Sequence, residues 1–150
     1  MDAIKPVEIL LIEDNPGDIQ LTREALEDCK MINNLHVAED GEIALDYLFR
    51  TAGHEDIPIP DLIILDLNLP RLDGREVLEK IKSDDRLKLI PVVILTTSEA
   101  DEDILKMYEL HANCYITKPL NLERFFEVVK AIENFWMGIV VLPDNRTILH

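Results

Sequence analysis

Cysteine is scarce in this chain of 150 residues: Cys29 and Cys114 are the only two, and they lie far apart in sequence. A disulfide framework has no support, nor does a zinc site built on closely spaced thiols; reduced thiols in a cytoplasmic protein are the simpler expectation. Positive charge is also in short supply. Lys and Arg total 15 against 30 Asp and Glu, a net charge of -15. A field of that sign repels nucleic-acid phosphates and anionic membrane surfaces, so neither is an expected partner. The opening stretch Met1-Asp2-Ala3-Ile4-Lys5-Pro6 lacks a basic region followed by an apolar one, and no apolar run has the length of a membrane span. A Rossmann glycine fingerprint and a P-loop are both missing, which removes support for nucleotide binding.

What is present is enough apolar content, 47%, for one domain with a real core. Apolar runs and helical patterns alternate. A strand is predicted near Val7–Glu13. A helix start follows at Asn15-Pro16-Gly17-Asp18, where Asn15 suits the cap, Pro16 the first helical position and Asp18 the positive helix end. Ile19, Leu21, Ala25, Leu26 and Cys29 form its expected buried stripe. A short strand is predicted near Leu35–Ala38. A helix follows over Gly41–Arg50, with Ile43, Ala44, Tyr47 and Leu48 at helical spacing. Thr51–Pro60, holding Gly53, Pro58 and Pro60, reads as an exposed connection. The run Leu62-Ile63-Ile64-Leu65 then leads to Asp66 and is stopped by Pro70, as expected of a strand buried on both faces. Asp73-Gly74-Arg75-Glu76 resembles a capped start for a helix to about Lys82. Pro91–Thr97 is the fourth strand, Ala100–Leu110 the fourth helix, and Cys114–Thr117 a short fifth strand. Asn121 opens the last helix, with Leu122, Phe125, Phe126, Val129 and Ile132 as its apolar positions. Five βα units with right-handed crossovers give an α/β fold with a doubly wound parallel sheet. The expected division is one domain over residues 1–134 and an extension over 135–150.

The chemistry gathers at the strand ends, where open α/β sheets place functional groups. Glu13 and Asp14 end the first strand, Asp66 the third, Thr96 the fourth, and Lys118 follows the fifth. Carboxylates about 4 Å apart repel by roughly 4 kcal/mol at an effective dielectric near 20. A hard cation such as Mg²⁺ relieves this, using one or two carboxylates, a carbonyl and waters. The backbone carbonyl of Asn68 is placed in sequence to help. With such a cation, Asp66 becomes a nucleophile toward a phosphoryl group, Lys118 offsets charge on the transferring oxygens, and Thr96 donates to one of them. Taken singly, these residues also suit duller roles as caps, turn residues or surface charges. Their occurrence at successive strand ends carries the argument.

On these residues the chain resembles a two-component receiver domain of flavodoxin-like (βα)5 fold over about Val7–Asn134. The acidic pair Glu13-Asp14, Asp66, Thr96 and the Lys118-Pro119 step lie at the family's usual spacing. The resemblance implies strand order 2-1-3-4-5, phosphorylation of Asp66 by a sensor histidine kinase, and Mg²⁺ at Asp14, Asp66 and the Asn68 carbonyl, with Glu13 acting through water. It further implies a cis peptide before Pro119 and Tyr115 as an aromatic switch coupled to Thr96. The segment before Asp61 and the apolar tail Phe135-Trp136-Met137-Gly138 through Leu142-Pro143 resemble stand-alone, phytochrome-associated receivers. That subgroup implies no output domain, a phytochrome-like kinase and a homodimer formed through the last helix and tail. Glu13 departs from the commoner Asp, and His111 stands where a small residue is usual. His36, His54 and His150 show no relation to the acidic site. Two alternatives stand beside this. One is a degenerate receiver acting as an unphosphorylated binding module, against which the complete set of site residues argues. The other is an aspartate-nucleophile phosphatase, against which Asn68 argues because it lacks general-acid capacity.

Overall fold

The computed structural model describes residues 6–28, 32–50, 58–96 and 114–117, together with the helical positions 123, 127, 130 and 131. Its elements run β1 (Val7–Ile12), α1 (Pro16–Glu27), β2 (Asn33–Ala38), α2 (Gly41–Leu48), β3 (Leu62–Asp66), α3 (Gly74–Ser83), β4 (Val92–Thr96) and β5 (Cys114–Thr117). The strands form one parallel sheet in the order β2-β1-β3-β4-β5, as expected. The order reverses direction between β1 and β3, and such a switch point is where a parallel sheet opens a crevice.

Strand alternation sends the core to both faces. Val7, Ile9 and Leu11 of β1 join Leu62, Ile64, Val93 and Leu95 against Ala25 and Leu26 of α1. Leu10 and Ile12 join Ile63, Leu65, Val92 and Ile94 against α2 and α3, through Ala44, Tyr47, Leu48, Val77, Leu78 and Ile81. Every residue of β3 is buried, which is why its sequence is a continuous apolar run rather than an alternating one. Each large aliphatic side chain so enclosed contributes about 1.5–3 kcal/mol of transfer free energy.

Local capping sets the helix starts. Asn15 Oδ1 accepts from Asp18 N at 3.0 Å, with Pro16 in the first turn. Asp40, which the sequence reading did not single out, caps α2 by accepting from Ile43 N at 2.8 Å. Asp73 caps α3 by accepting from Arg75 N at 2.7 Å. Past α3, Lys82 Nζ donates to the carbonyls of Lys88 and Ile90, both at 3.1 Å, and ties the helix to the turn before β4. Burial holds the Lys82 pKa below its ordinary value.

Several boundaries differ from expectation. β2 begins at Asn33 rather than Leu35, because Asn33 and Asn34 already pair with Val7 and Glu8. Their amides are satisfied there, by Leu26 O at 3.0 Å and Glu8 Oε2 at 2.9 Å. β1 ends at Ile12, although Glu13 N continues the ladder by one bond to Ala38 O. α2 stops at Leu48, and Arg50 turns away with a φ of 57°. α3 runs one residue past Lys82 to Ser83, and β4 spans Val92–Thr96. In α1, Leu21 and Ile19 are only partly buried, while Thr22 is buried with its hydroxyl donating to Asp18 O at 2.8 Å. Ile43 lies on the outer side of α2 at 40% exposure. The expected fourth helix, residues 51–57 of the connection, Cys29, the apolar positions of the last helix and the extension 135–150 lie outside the described residues. Within that last helix, Glu123, Glu127, Lys130 and Ala131 are helical and exposed. Among the described residues, no helix is long and apolar enough to cross a membrane.

Two predictions follow from packing. A Cβ on Gly74 would lie 2.5 Å from Asp66 O and 2.6 Å from Leu67 Cα, so the backbone itself must move. Gly74→Ala is expected to lower unfolding free energy by about 2 kcal/mol or more in urea titration. Tyr47 is buried, and desolvation, with the Glu8 carboxylate adding, pushes its pKa up to about 12. The folded state therefore holds the phenolic proton more tightly than the unfolded state, whose pKa is near 10. The resulting stability is complete below pH 10 and is lost as pH rises toward 12. Denaturation at stepped pH should show the stability difference between wild type and Tyr47→Phe shifting against wild type across that window.

Candidate functional site

The register of the sheet brings two strand ends side by side. Ile12 is paired with Leu65, so the next step sets Glu13 beside Asp66 at the switch point. One carboxylate oxygen from each of Glu13, Asp14 and Asp66 lies within 4.8 Å of the others. Glu13 and Asp66 are buried, at 0% and 1% exposure, whereas Asp14 is exposed. Two acids thus form the floor of the site, and Asp14 faces solvent at its mouth.

Backbone donors orient the two buried acids. Glu13 Oε2 accepts from Asn15 N at 3.2 Å, on the turn that starts α1. Asp66 Oδ1 accepts from Asn68 N at 3.0 Å, so the carboxylate folds back over its own loop. That loop is closed behind it: Leu67 N donates to Leu95 O at 3.0 Å, and Gly74 N donates to Leu67 O at 3.1 Å. The missing side chain of Gly74 is what permits α3 to start directly under Asp66.

Across the mouth, the loop after Asp66 also meets the start of α2. A Cβ on Gly41 would come within 2.7 Å of Leu72 O, so helix and loop are in close contact. Arg71 places a guanidinium nitrogen 3.8 Å from Asp40 Oδ2 and 4.0 Å from Glu42 Oε2. Arg71 also holds a φ of 65°, in the left-handed region. The sequence reading had singled out neither Arg71 nor the packing role of Gly74. A glycine at the head of an otherwise ordinary helix was the one signal available for the latter.

The donor set is all oxygen, and its charge is concentrated. Three carboxylates in that space suit a hard divalent cation and offer nothing to a soft one. The residues present therefore fit the metal that the acidic triad implies. A hollow of about 560 Å³ lies elsewhere, lined by Phe49 and by Glu76, Glu79, Lys80, Ser83 and Asp84, and contains none of the three acids.

The remaining expected residues are placed in part. Asp66 pairs with Leu95, and Thr96 follows as the last residue of β4, in register with Thr117. Tyr115 lies on β5 opposite Ile94. Lys118 and the Lys118–Pro119 peptide lie outside the described residues. His36 sits well away in sheet position, its Nε2 2.8 Å from Glu8 Oε1 near the start of β1.

Comparison with known proteins agrees with this geometry. Residues 9–130 match the response regulator receiver domain. Over 138 residues the chain is 47% identical to response regulator Rcp1 of Synechocystis sp. (strain ATCC 27184 / PCC 6803 / Kazusa), covering 92% of this chain and 94% of that protein. The crystal structure of the phosphorylated cyanobacterial phytochrome response regulator RcpA superposes with a TM-score of 0.81 at 48% identity, over 90% of this chain and 96% of that one. The Mn(2+)-bound form of Rcp1 gives a TM-score of 0.79 at 47% identity, over 87% and 94%. The acidic crevice at the switch point, in a sheet of this order, therefore has its explanation in descent: the chain belongs to the response regulator receiver family, the phosphorylation-dependent signalling proteins of two-component systems.

Proposed function

We propose that Asp66 is the phosphoacceptor of this receiver and that Mg²⁺ is its working cation. The supporting observation is the convergence of Glu13, Asp14 and Asp66 within 4.8 Å at the β1–β3 switch point. Receiver domains take phosphoryl groups from histidine kinases and bind a divalent metal at their acidic pocket. Here Asp14, Asp66 and the Asn68 carbonyl would hold the cation, with Glu13 behind them. When bound, the cation neutralises the carboxylates and the charge on the transferring oxygens.

The chain's own residues do the rest. An Asp66 carboxylate oxygen attacks the phosphorus, a P–O bond forms, and the P–N bond to the donor's imidazole breaks, the imidazole keeping the electron pair and taking up a proton. Asn68 N holds the Asp66 carboxylate in place by its bond to Oδ1. Lys118 and the Thr96 hydroxyl are assigned to the phosphoryl oxygens, and Tyr115 to the coupled switch. An acyl phosphate carries roughly 1.5–2 negative charges, by analogy with other phosphorylated side chains, where the free carboxylate carried one. That charge draws Thr96 and Lys118 inward and alters a protein-binding surface. Under this reading the protein catalyses its own phosphorylation from small phosphodonors and its own dephosphorylation.

The similarity to Rcp1 and RcpA supports a phytochrome-like kinase as donor and a receiver domain over residues 1–134. It also supports a homodimer in which residues 135–150, rich in apolar side chains, take part. Intact mass with acetyl phosphate is the direct test. Wild type should gain one phosphoryl group only with Mg²⁺ present, and Asp66→Asn should gain none; equal labelling of the variant would sink the assignment. In sedimentation, a chain truncated after Asn134 should run smaller than a full-length dimer by more than its lost mass. Identical association of the two forms would remove the extension from the interface.

A further inference from the structure

Arg71 is a cation placed against the grain of its backbone. Its φ of 65° lies in a region that costs a non-glycine residue conformational energy. Nothing about its side chain requires that backbone, since 66% of the side chain is exposed. From that turn the guanidinium stands near Asp40 and Glu42 at the start of α2. Asp40 is itself buried and fixed, because its Oδ1 caps Ile43 N. The loop from Leu67 to Asp73 is thereby held at both ends and in the middle. Asn68 N is held by Asp66 at its start, Gly74 N by Leu67 O at its close, and Arg71 by α2 between them.

We propose that Arg71 is a positioning residue of the acidic site, holding the Asn68–Asp73 loop against α2 so that the loop presents Asn68 to the cation. The role rests on the metal-binding reading given above. Arg71 touches neither the carboxylate triad nor the transferring group and acts through the loop. The consequence has a sign that simple electrostatics reverses. Removing a cation from the loop that follows Asp66 should, by Coulomb's law alone, tighten Mg²⁺ binding. Loosening the loop that carries one of the ligands should weaken it.

The variant to compare is Arg71→Asn, because asparagine adopts left-handed backbone readily and so removes the guanidinium without adding strain. Mg²⁺ affinity is measured by titration calorimetry on the full chain, beside the thermal midpoint of the metal-free protein. The expected result is an Mg²⁺ dissociation constant raised about two- to five-fold, the range of an exposed ion pair, with the metal-free midpoint unchanged. Arg71→Lys should recover part of the loss, since it keeps the charge. In the double variant Asp40→Asn, Arg71→Asn, the second change should add less than it does alone, because asparagine still caps α2 but no longer pairs. Unchanged or tighter Mg²⁺ binding in Arg71→Asn, with wild type binding normally, overturns the role of Arg71 and leaves the site reading intact. A wild type that binds no Mg²⁺ overturns the site reading, and the role of Arg71 with it.

Discussion

The structure depends on keeping three carboxylates together that would otherwise separate. Glu13, Asp14 and Asp66 stand within 4.8 Å of one another, two of them in the core. Their repulsion is opposed by the rigidity of the frame: β1 and β3 are adjacent, parallel and enclosed by aliphatic side chains on both faces. Backbone N–H groups at Asn15 and Asn68 supply local partial charge of the right sign. The arrangement suits a divalent cation, whose charge offsets that of the three acids. The sheet is therefore the scaffold that holds the three charges close.

Much of this was legible in the sequence because the relevant signals are local or periodic. The unbroken run Leu62–Leu65 announced a doubly covered strand, and Asp66 after it announced a strand end. Asn15-Pro16 announced the start of α1, and the register between Ile12 and Leu65 then brought the announced acids together. What escaped was set by contacts between distant segments. Asn33 and Asn34 look like loop residues until their amides are seen bonded to Leu26 O and Glu8 Oε2. Ile43 looks like a core residue until the packing direction of α2 is known. Thr22 looks too polar for a buried face until its hydroxyl is seen bonded one turn back. Gly74 carries no chemical label at all; only the close approach of Asp66 O and Leu67 Cα shows what it does.

The family assignment and the geometry meet at the same few residues from different directions. Similarity over residues 9–130 says what kind of switch this is. The physical account says why the switch sits where it does. The order β2-β1-β3-β4-β5 opens a crevice beside β3, and helix caps at Asn15, Asp40 and Asp73 direct the adjoining loops around it.

The opposite end of the sheet has a character of its own. Asp61 Oδ2 accepts from Glu8 N at 2.9 Å, while Asp61 N donates to Glu8 O at 2.7 Å. The Glu8 side chain meanwhile engages Asn34 and His36. Three neighbouring strands are stitched there by charged hydrogen bonds that have no part in the acidic crevice. With one pole pinned in this way, a disturbance at the other has a fixed footing to push against. One end of the sheet is thus tied across three strands, and the three clustered carboxylates stand at the other.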